Sequence, residues 1–323
     1  MPVAISTVAQ VNHLHPQTLE KQYKEEFSNF PSWEKKTNSD TLVYPENFGK
    51  RMSIDETTLS KGELYTVITN KDKGGRKGAL AALIKGTKNE VVTQALAQVP
   101  IAKRMAVREI TADLANSMDW ICRSNFPNAT MTADRFHVQH IFSEAVQEVR
   151  IELRREAMNE ENDLTLTARQ EKQKYIPKTY ANGDTKKQLL ARGRYVLYKP
   201  ANTWTENQRE RVDILFHEYP VLKQSYDLSM YLRGIFERRI DRDKAKVDFQ
   251  KWYEKVHQSD IPPLLSAACT IEREEGKILN YFYHRETNAS AESFNAKLKG
   301  FRALLRGVRD IKFFLFRVET LFA

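Results

Sequence analysis

Between Arg51 and Val138 short runs rich in β-branched and aromatic residues alternate with amphipathic stretches, and this order constrains the fold more than any other feature. MSIDET (52–57) reads as a strand carrying the carboxylate pair Asp55 and Glu56. ELYTVITN (63–70) reads as a second strand, KDKGGRKG (71–78) as a glycine-rich turn, and ALAALIKG (79–86) as a third strand. A helix is expected from Asn89 to about Val99. AVREITADLA (106–115) is a fourth strand with Asp113 near its end, 117–126 a helix stopped before Pro127, and NATMTADRFHV (128–138) a fifth strand closing at Asp134. The order βββαβαβα predicts an α/β fold, a mixed sheet with helices on its faces. In such a meander followed by crossovers, the fourth strand lies beside the first.

Acids therefore fall repeatedly where a strand ends, at Asp55, Asp113 and Asp134, and in open α/β sheets that edge is where ligand sites form. Each has a plain alternative: Asp55 as a strand-end cap with Glu56 its rival as a ligand, and Asp113 as a helix N-cap. Asp134 and His137 have a D-x-x-H spacing that suits site support, metal ligation, or a capped helix with a satisfied histidine. The glycines of 71–78 lack P-loop spacing, so a nucleotide-phosphate cradle is not expected there.

A second constellation lies far down the chain, in TNASAESFNAKLKGFR (287–302). It reads as a helix with Ser290 as N-cap. Glu292, Asn295 and Lys299 share one face by steps of three and four, and Phe294, Leu298, Phe301 and Leu305 form a second, apolar face. Basic residues follow: Lys297, Lys299, Arg302, Arg306, Arg309 and Lys312. A carboxylate ahead of a basic run suits metal-assisted chemistry on a phosphodiester, where hard oxygen ligands converge from separate elements. The gaps, 113 − 55 = 58 and 292 − 113 = 179 residues, are compatible with one site if an inserted domain fills the second.

From His140 to about Tyr283 strand signals give way to charged amphipathic segments at 139–160, 165–175, 205–218 and 221–257, which predicts a mostly helical insertion. Within it, 175–200 is basic, carries four tyrosines and turns at Asn182-Gly183, a pattern that fits a nucleic-acid backbone or a solvated face equally. The expected division is 1–48, an N-terminal helical accessory segment and linker; 49–139, the first part of the core; 140–283, the insertion; and 284–323, the last part of the core with a basic C-terminal helix. Residues 6–27 fit a small helix-turn-helix or a plain helical hairpin, and 31–50 reads as a linker. With 51 Lys and Arg against 42 Asp and Glu, the net charge of +9 favours polyanionic partners. Two isolated cysteines give no disulfide framework and no CxxC zinc site, and no apolar run reaches the length of a membrane span. A soluble, cytoplasmic protein is expected.

The segments IDE (54–56), TADLANSM (111–118), FPNATMTADRFHV (126–138), LLARGRYVLYK (189–199) and TNASAESFNAKLKGFR (287–302) resemble bacterial insertion-sequence transposases of the ISL-three type, more narrowly a group common in Bacteroides-type bacteria. The resemblance covers about 50–323. It implies an RNase H-like core interrupted by a helical insertion, and a DDE site of Asp55, Asp113 and Glu292 binding two Mg2+ ions, with Mn2+ able to substitute. It implies a supporting role for Asp134 and His137. Asn288, Asn295 and Lys297 match its final motif, with DNA contact or site support as their role, and Lys299, Arg302 and Arg306 extend the expected DNA contact. The implied substrates are double-stranded element ends and target DNA, handled by a homodimer at the nucleoid. Many relatives carry an N-terminal zinc-binding and helix-turn-helix region, whereas residues 1–48 contain no cysteine. End recognition is thus left to residues 6–27, the insertion or a separately encoded small partner. Two other readings remain open: an RNase H-like nuclease without strand transfer, and a non-catalytic or domesticated DNA-binding relative.

Overall fold

The computed structural model describes residues 3–37, 40–60, 62–285, 289–304 and 310–323, with the side chains of 60 and 289–292 left out of the description. The chain forms two compact units, residues 1–134 with 285–323 and residues 135–284.

The first unit is built on a six-stranded mixed sheet of order β1-β4-β3-β2-β5-β6. Its strands are β1 (Leu42–Val43), β2 (Arg51–Ser60), β3 (Glu63–Asn70), β4 (Leu80–Lys85), β5 (Glu109–Ala112) and β6 (Thr130–Ala133). β2, β3 and β4 form an antiparallel meander, while β5 and β6 run parallel to β2. Five strands in that order, with three antiparallel and two parallel, are the RNase H-like arrangement, and β5 lies beside β2 as the crossover requires. α4 (Asn89–Leu96), α5 (Ile101–Ala106) and α6 (Asn116–Asn125) make the connections. Period-two alternation decides the two faces. Met52, Ile54, Ile110 and Ala112 point into a core with Val92, Leu96, Met118 and Ile121 of α4 and α6. The opposite face presents Tyr65, Val67 and Leu83 to α15 (Ala289–Leu304) and α16 (Ile311–Phe322), which supply Phe294, Leu298, Phe301, Phe314 and Val318. The apolar stripe at helical spacing thus docks α15 on the sheet; Leu305 lies outside the described residues. α15 begins at Ala289, so Ser290 falls inside its first turn instead of capping it.

Residues 31–50 are not a linker. After α1 (Ile5–Val11) and α2 (Pro16–Gln22), α3 (Phe30–Lys36) packs Phe30 and Trp33 against Phe313 and Phe316, and β1 pairs antiparallel with β4. A two-residue strand is too short to leave a period in the sequence, and Pro31 lies in the first turn of α3, where its fixed φ starts a helix. Glu319 Oε2 accepts from Trp33 Nε1 at 2.6 Å and from Tyr44 OH at 2.7 Å. Burial, followed by this bond, pushes the Tyr44 hydroxyl pKa far up. Glu319→Gln replaces the ionised acceptor with a neutral one and is expected to lower stability by about 1.5 kcal/mol, read from urea unfolding. An unchanged midpoint would mean that these two bonds add no net stability.

The second unit is helical. α7 (Arg135–Gln170) is one unbroken helix of 36 residues that runs through the segment 139–160 and into the segment 165–175. α8 (Lys186–Arg192), α9 (Glu206–Glu218), α10 (Pro220–Glu237), α11 (Arg242–Ser259), α12 (Pro262–Arg273), α13 (Glu275–Leu279) and α14 (Tyr281–His284) follow. Phe142 meets Trp252 edge-on at 4.9 Å between ring centroids, within a core that also holds Phe236, Phe249 and Phe282. Trp252 Nε1 donates to Leu228 O at 2.9 Å. The basic stretch 175–200 spends much of its charge internally: Lys186 pairs with Glu160, Lys187 with Glu161 at 2.7 Å, and Arg192 with the fully buried Asp184.

Candidate active site

The parallel register places the acids. Ser53 pairs with Thr111 and Thr111 with Thr132, offsets of 111 − 53 = 58 and 132 − 111 = 21. Continued by two residues, the same register sets Asp55, Asp113 and Asp134 in one row across β2, β5 and β6, on strands about 4.8 Å apart. The bond from Asp134 N to Ala112 O, 3.1 Å, carries the β5–β6 ladder past its last pair. Ile54, Ala112 and Ala133 are buried, and alternation turns the three acids to the face on which α15 lies. Asp55 and Asp113 are partly exposed, whereas Asp134 is fully buried.

Glu56, the rival of Asp55, is turned by alternation toward the α4 and α6 face. Burial raises its pKa, and the Asp113 charge adds to that rise. Asp55 is held at both oxygens: Oδ1 accepts from Glu56 N at 2.8 Å, and Oδ2 accepts from Asn295 Nδ2 at 2.5 Å. This bond joins residues 240 apart in sequence. Asn295 is only 6% exposed, so of the two roles expected for it, DNA contact or site support, its position fits support of Asp55. With its amide nitrogen committed to a carboxylate that can only accept, its Oδ1 is buried without a hydrogen-bond partner among the described residues.

The other expected contacts separate. Lys297 is exposed but its Nζ donates to Gly75 O at 3.0 Å, bracing the β3–β4 turn. Lys299 is exposed and Arg302 half-buried on α15. Glu292 occupies α15 one turn before Asn295; its side chain lies outside the described residues, as do Asn288 and Arg306 entirely. His137 is half-buried in the first turn of α7 and belongs to the second unit. Sequence reasoning missed Lys71, whose Nζ donates to Thr111 Oγ1 at 2.8 Å, two residues before Asp113; a lysine in a glycine-rich turn gives no local sign of reaching a neighbouring strand.

Among the described residues no three His, Cys, Asp or Glu side chains gather as a metal site. The oxygens present still suit a hard divalent cation: the carboxylates of Asp55 and Asp113, two residues beyond the Ser53–Thr111 pair, and beside Asp55 the buried Oδ1 of Asn295, which has no hydrogen-bond partner among the described residues.

A family model described as a transposase, DDE_Tnp_ISL3, matches residues 52–318, from the first strand of the meander to α16. The chain belongs to this transposase family. The matched region contains the whole row of acids, α15 up to and beyond Asn295, and the second unit between them. Transposases of insertion sequence element IS1557 from two strains of Mycobacterium tuberculosis, CDC 1551 / Oshkosh and ATCC 25618 / H37Rv, are each 27% identical over 267 residues, 81% of this chain. The chain spans 57% of the length of these relatives. A solved structure, the Drosophila P element transposase strand transfer complex, covers 92% of this chain and 80% of its own at 13% identity with a TM-score of 0.29, a likeness that carries no argument. No helix of the described residues is long and apolar enough to cross a membrane.

Proposed function

We propose that this transposase family member is a DDE enzyme that cleaves DNA at insertion-sequence ends and joins the freed strand to target DNA. One observation supports the reading: the β2–β5 register, Ser53 with Thr111, continued by two residues sets Asp55 opposite Asp113, and Asn295 of α15 bonds Asp55. Glu292, three residues before Asn295 in the sequence, is proposed as the third acid on the ground of helical spacing. Asp55, Asp113 and Glu292 would hold divalent cations, two Mg2+ ions with Mn2+ as substitute. When bound, such ions supply Lewis-acid stabilisation of charge on the phosphoryl oxygens and on the attacking and leaving oxygens.

The chain's own residues have defined tasks. Asn295 Nδ2 and Glu56 N fix the rotamer of Asp55, so that no reorientation is needed as charge develops. Asp134 and His137 are proposed as supports and Lys299, Arg302, Asn288 and Arg306 as DNA contacts. In cleavage, a water oxygen forms a bond to phosphorus as the bond to the 3′ oxygen breaks, leaving a 3′-OH and a 5′-phosphate. In joining, that 3′-OH attacks a target phosphorus, and the target's own 3′ oxygen leaves. Both are in-line displacements, so one set of ligands serves both and no protein nucleophile is required. The second unit is proposed as an insertion domain of this core, the assembly as a dimer on paired ends with a small end-recognition partner where needed, and the site of action as the bacterial cytoplasm at the nucleoid.

The test is incubation of labelled element-end duplex and a target plasmid with the protein in Mg2+ or Mn2+. Metal-dependent nicks followed by end–plasmid joints are expected. Nicks without joints would identify a nuclease, and duplex binding without nicks a non-catalytic DNA-binding relative.

A further inference from the structure

The turn 71–78 between β3 and β4 is held from several sides. Asn70 Oδ1 accepts from Asp72 N at 3.0 Å, and Lys71 Nζ reaches Thr111 Oγ1. Lys297 Nζ holds Gly75 O, and Gly78 N donates to Phe322 O at 3.1 Å. Gly75 has φ +71°, and a Cβ there would sit 2.8 Å from Lys297 Nζ, so the brace needs glycine at this position. The turn is thus tied to β5, to α15 and to the end of α16.

On this braced turn Lys73, Arg76 and Lys77 are exposed, and none finds an acidic partner among the described residues. The one acid of the turn, Asp72, is taken by Arg51 at 2.5 Å. Surface cations are commonly solvated and idle. Three of them on a turn fixed to the elements that carry the candidate acids differ from the basic stretch 175–200, where acids of the same unit neutralise Lys186, Lys187 and Arg192. Asn70, where the turn begins, pairs with Met52, three residues before Asp55 on β2. That is a displacement of about 10 Å at ~3.3 Å per residue, or roughly three nucleotides at ~3.4 Å along a DNA strand.

We infer that Lys73, Arg76 and Lys77, which follow Asn70 on the turn, form a clamp for the phosphodiester backbone of DNA, about three or more nucleotides from the phosphate at the Asp55–Asp113 site. This deepens the transposase reading and rests on it. Lys297 serves the clamp as a positioning residue, and the clamp reads no sequence because it offers only point charges to phosphates.

The experiment measures binding of full-length protein to labelled duplex by fluorescence anisotropy, in EDTA, across a salt series. The triple variant Lys73→Ala, Arg76→Ala, Lys77→Ala is compared with wild type and with Lys246→Ala, Lys251→Ala, Lys255→Ala, an equal charge loss from exposed positions of α11 in the second unit. The turn variant is expected to bind on the order of 100-fold more weakly near 0.1 M salt, with a slope of log affinity against log salt shallower by about 2.7. The α11 variant is expected to keep the slope, and both variants to keep the wild-type melting temperature. Unchanged affinity and slope in the turn variant, or an equal loss in the α11 variant, overturns the clamp. Metal-dependent cleavage is read in a separate assay, so the clamp and the transposase reading fail independently.

Discussion

Asp55→Asn is expected to lower metal-dependent strand cleavage by about a thousandfold, and Asp113→Asn to do the same. The substitution keeps the shape of the side chain and an oxygen able to accept from Asn295 Nδ2, but removes the negative charge. Losing one anionic ligand is worth about 4 kcal/mol of transition-state stabilisation when the remaining ligands stay in place, which is about three powers of ten in rate. Stability separates this role from a structural one. Asp113→Asn is expected to leave the melting temperature within a few degrees (about 1 kcal/mol or less), while Asp55→Asn, which keeps only one of the two oxygens that accept from Glu56 N and Asn295 Nδ2, is expected to lose about 1 kcal/mol. A strand-end cap or helix N-cap would show the reverse, with cleavage kept and stability lost. Cleavage within about tenfold of wild type in both variants would be too small a loss for a catalytic ligand and would remove these residues from the site. Duplex binding in EDTA is expected to stay within about twofold, because neither carboxylate neutralises a phosphate.

Asp184→Ala is expected to cost the second unit about 3 kcal/mol, a fall on the order of 10 °C in its melting temperature. Asp184 is fully buried, pairs with Arg192, and accepts from Arg211 Nε at 2.8 Å and Asn182 Nδ2 at 3.1 Å. Its backbone closes the small hairpin through Tyr180 N to Asp184 O, 2.9 Å, just before Thr185 leads into α8. Burial raises its pKa, but the hydrogen bonds and charges of Arg211 and Arg192 outweigh that and hold it below the ordinary carboxylate value. The folded pKa is therefore lower than the unfolded one. The contribution is fully present above the unfolded value of about 3.9 and is lost as pH falls through the folded value. The wild-type melting temperature of this unit should thus fall with acidification below about pH 4 more steeply than that of Asp184→Ala. Equal melting temperatures at pH 7 would show that the ion pairs only offset their own desolvation.

Much of the first unit is legible because its signals are local. Short β-branched, aromatic and apolar runs in 52–57, 63–70 and 79–86 report the meander, and the crossovers around 89–99 and 117–126 fit β5 beside β2 and β6 beyond it. The stripe Phe294, Leu298, Phe301 reports which side of α15 is buried. What periodicity leaves out is the partner on the far side of each contact. Helical spacing groups Asn295 with Glu292 and Lys299, but only the folded chain shows that the Asn295 amide ends on Asp55, so that its polarity serves the interior. The same holds for Lys297, whose charge reads as a DNA contact until its bond to Gly75 is seen. β1 could not be read because two residues make no pattern, and the length of α7 was obscured by polar residues that break no helix.

Which residue types stand at strand ends and helix faces is written locally in the chain, because backbone geometry repeats every two or 3.6 residues and acts on near neighbours. The folded chain alone reveals the register that, continued past Ser53–Thr111–Thr132, aligns Asp55, Asp113 and Asp134, the bond of Asn295 to Asp55 from 240 residues away, and the bracing of a glycine turn against α15. Register and docking are fixed by packing between segments distant in the chain, where the free energy lies in buried area and paired polar groups that no local pattern records.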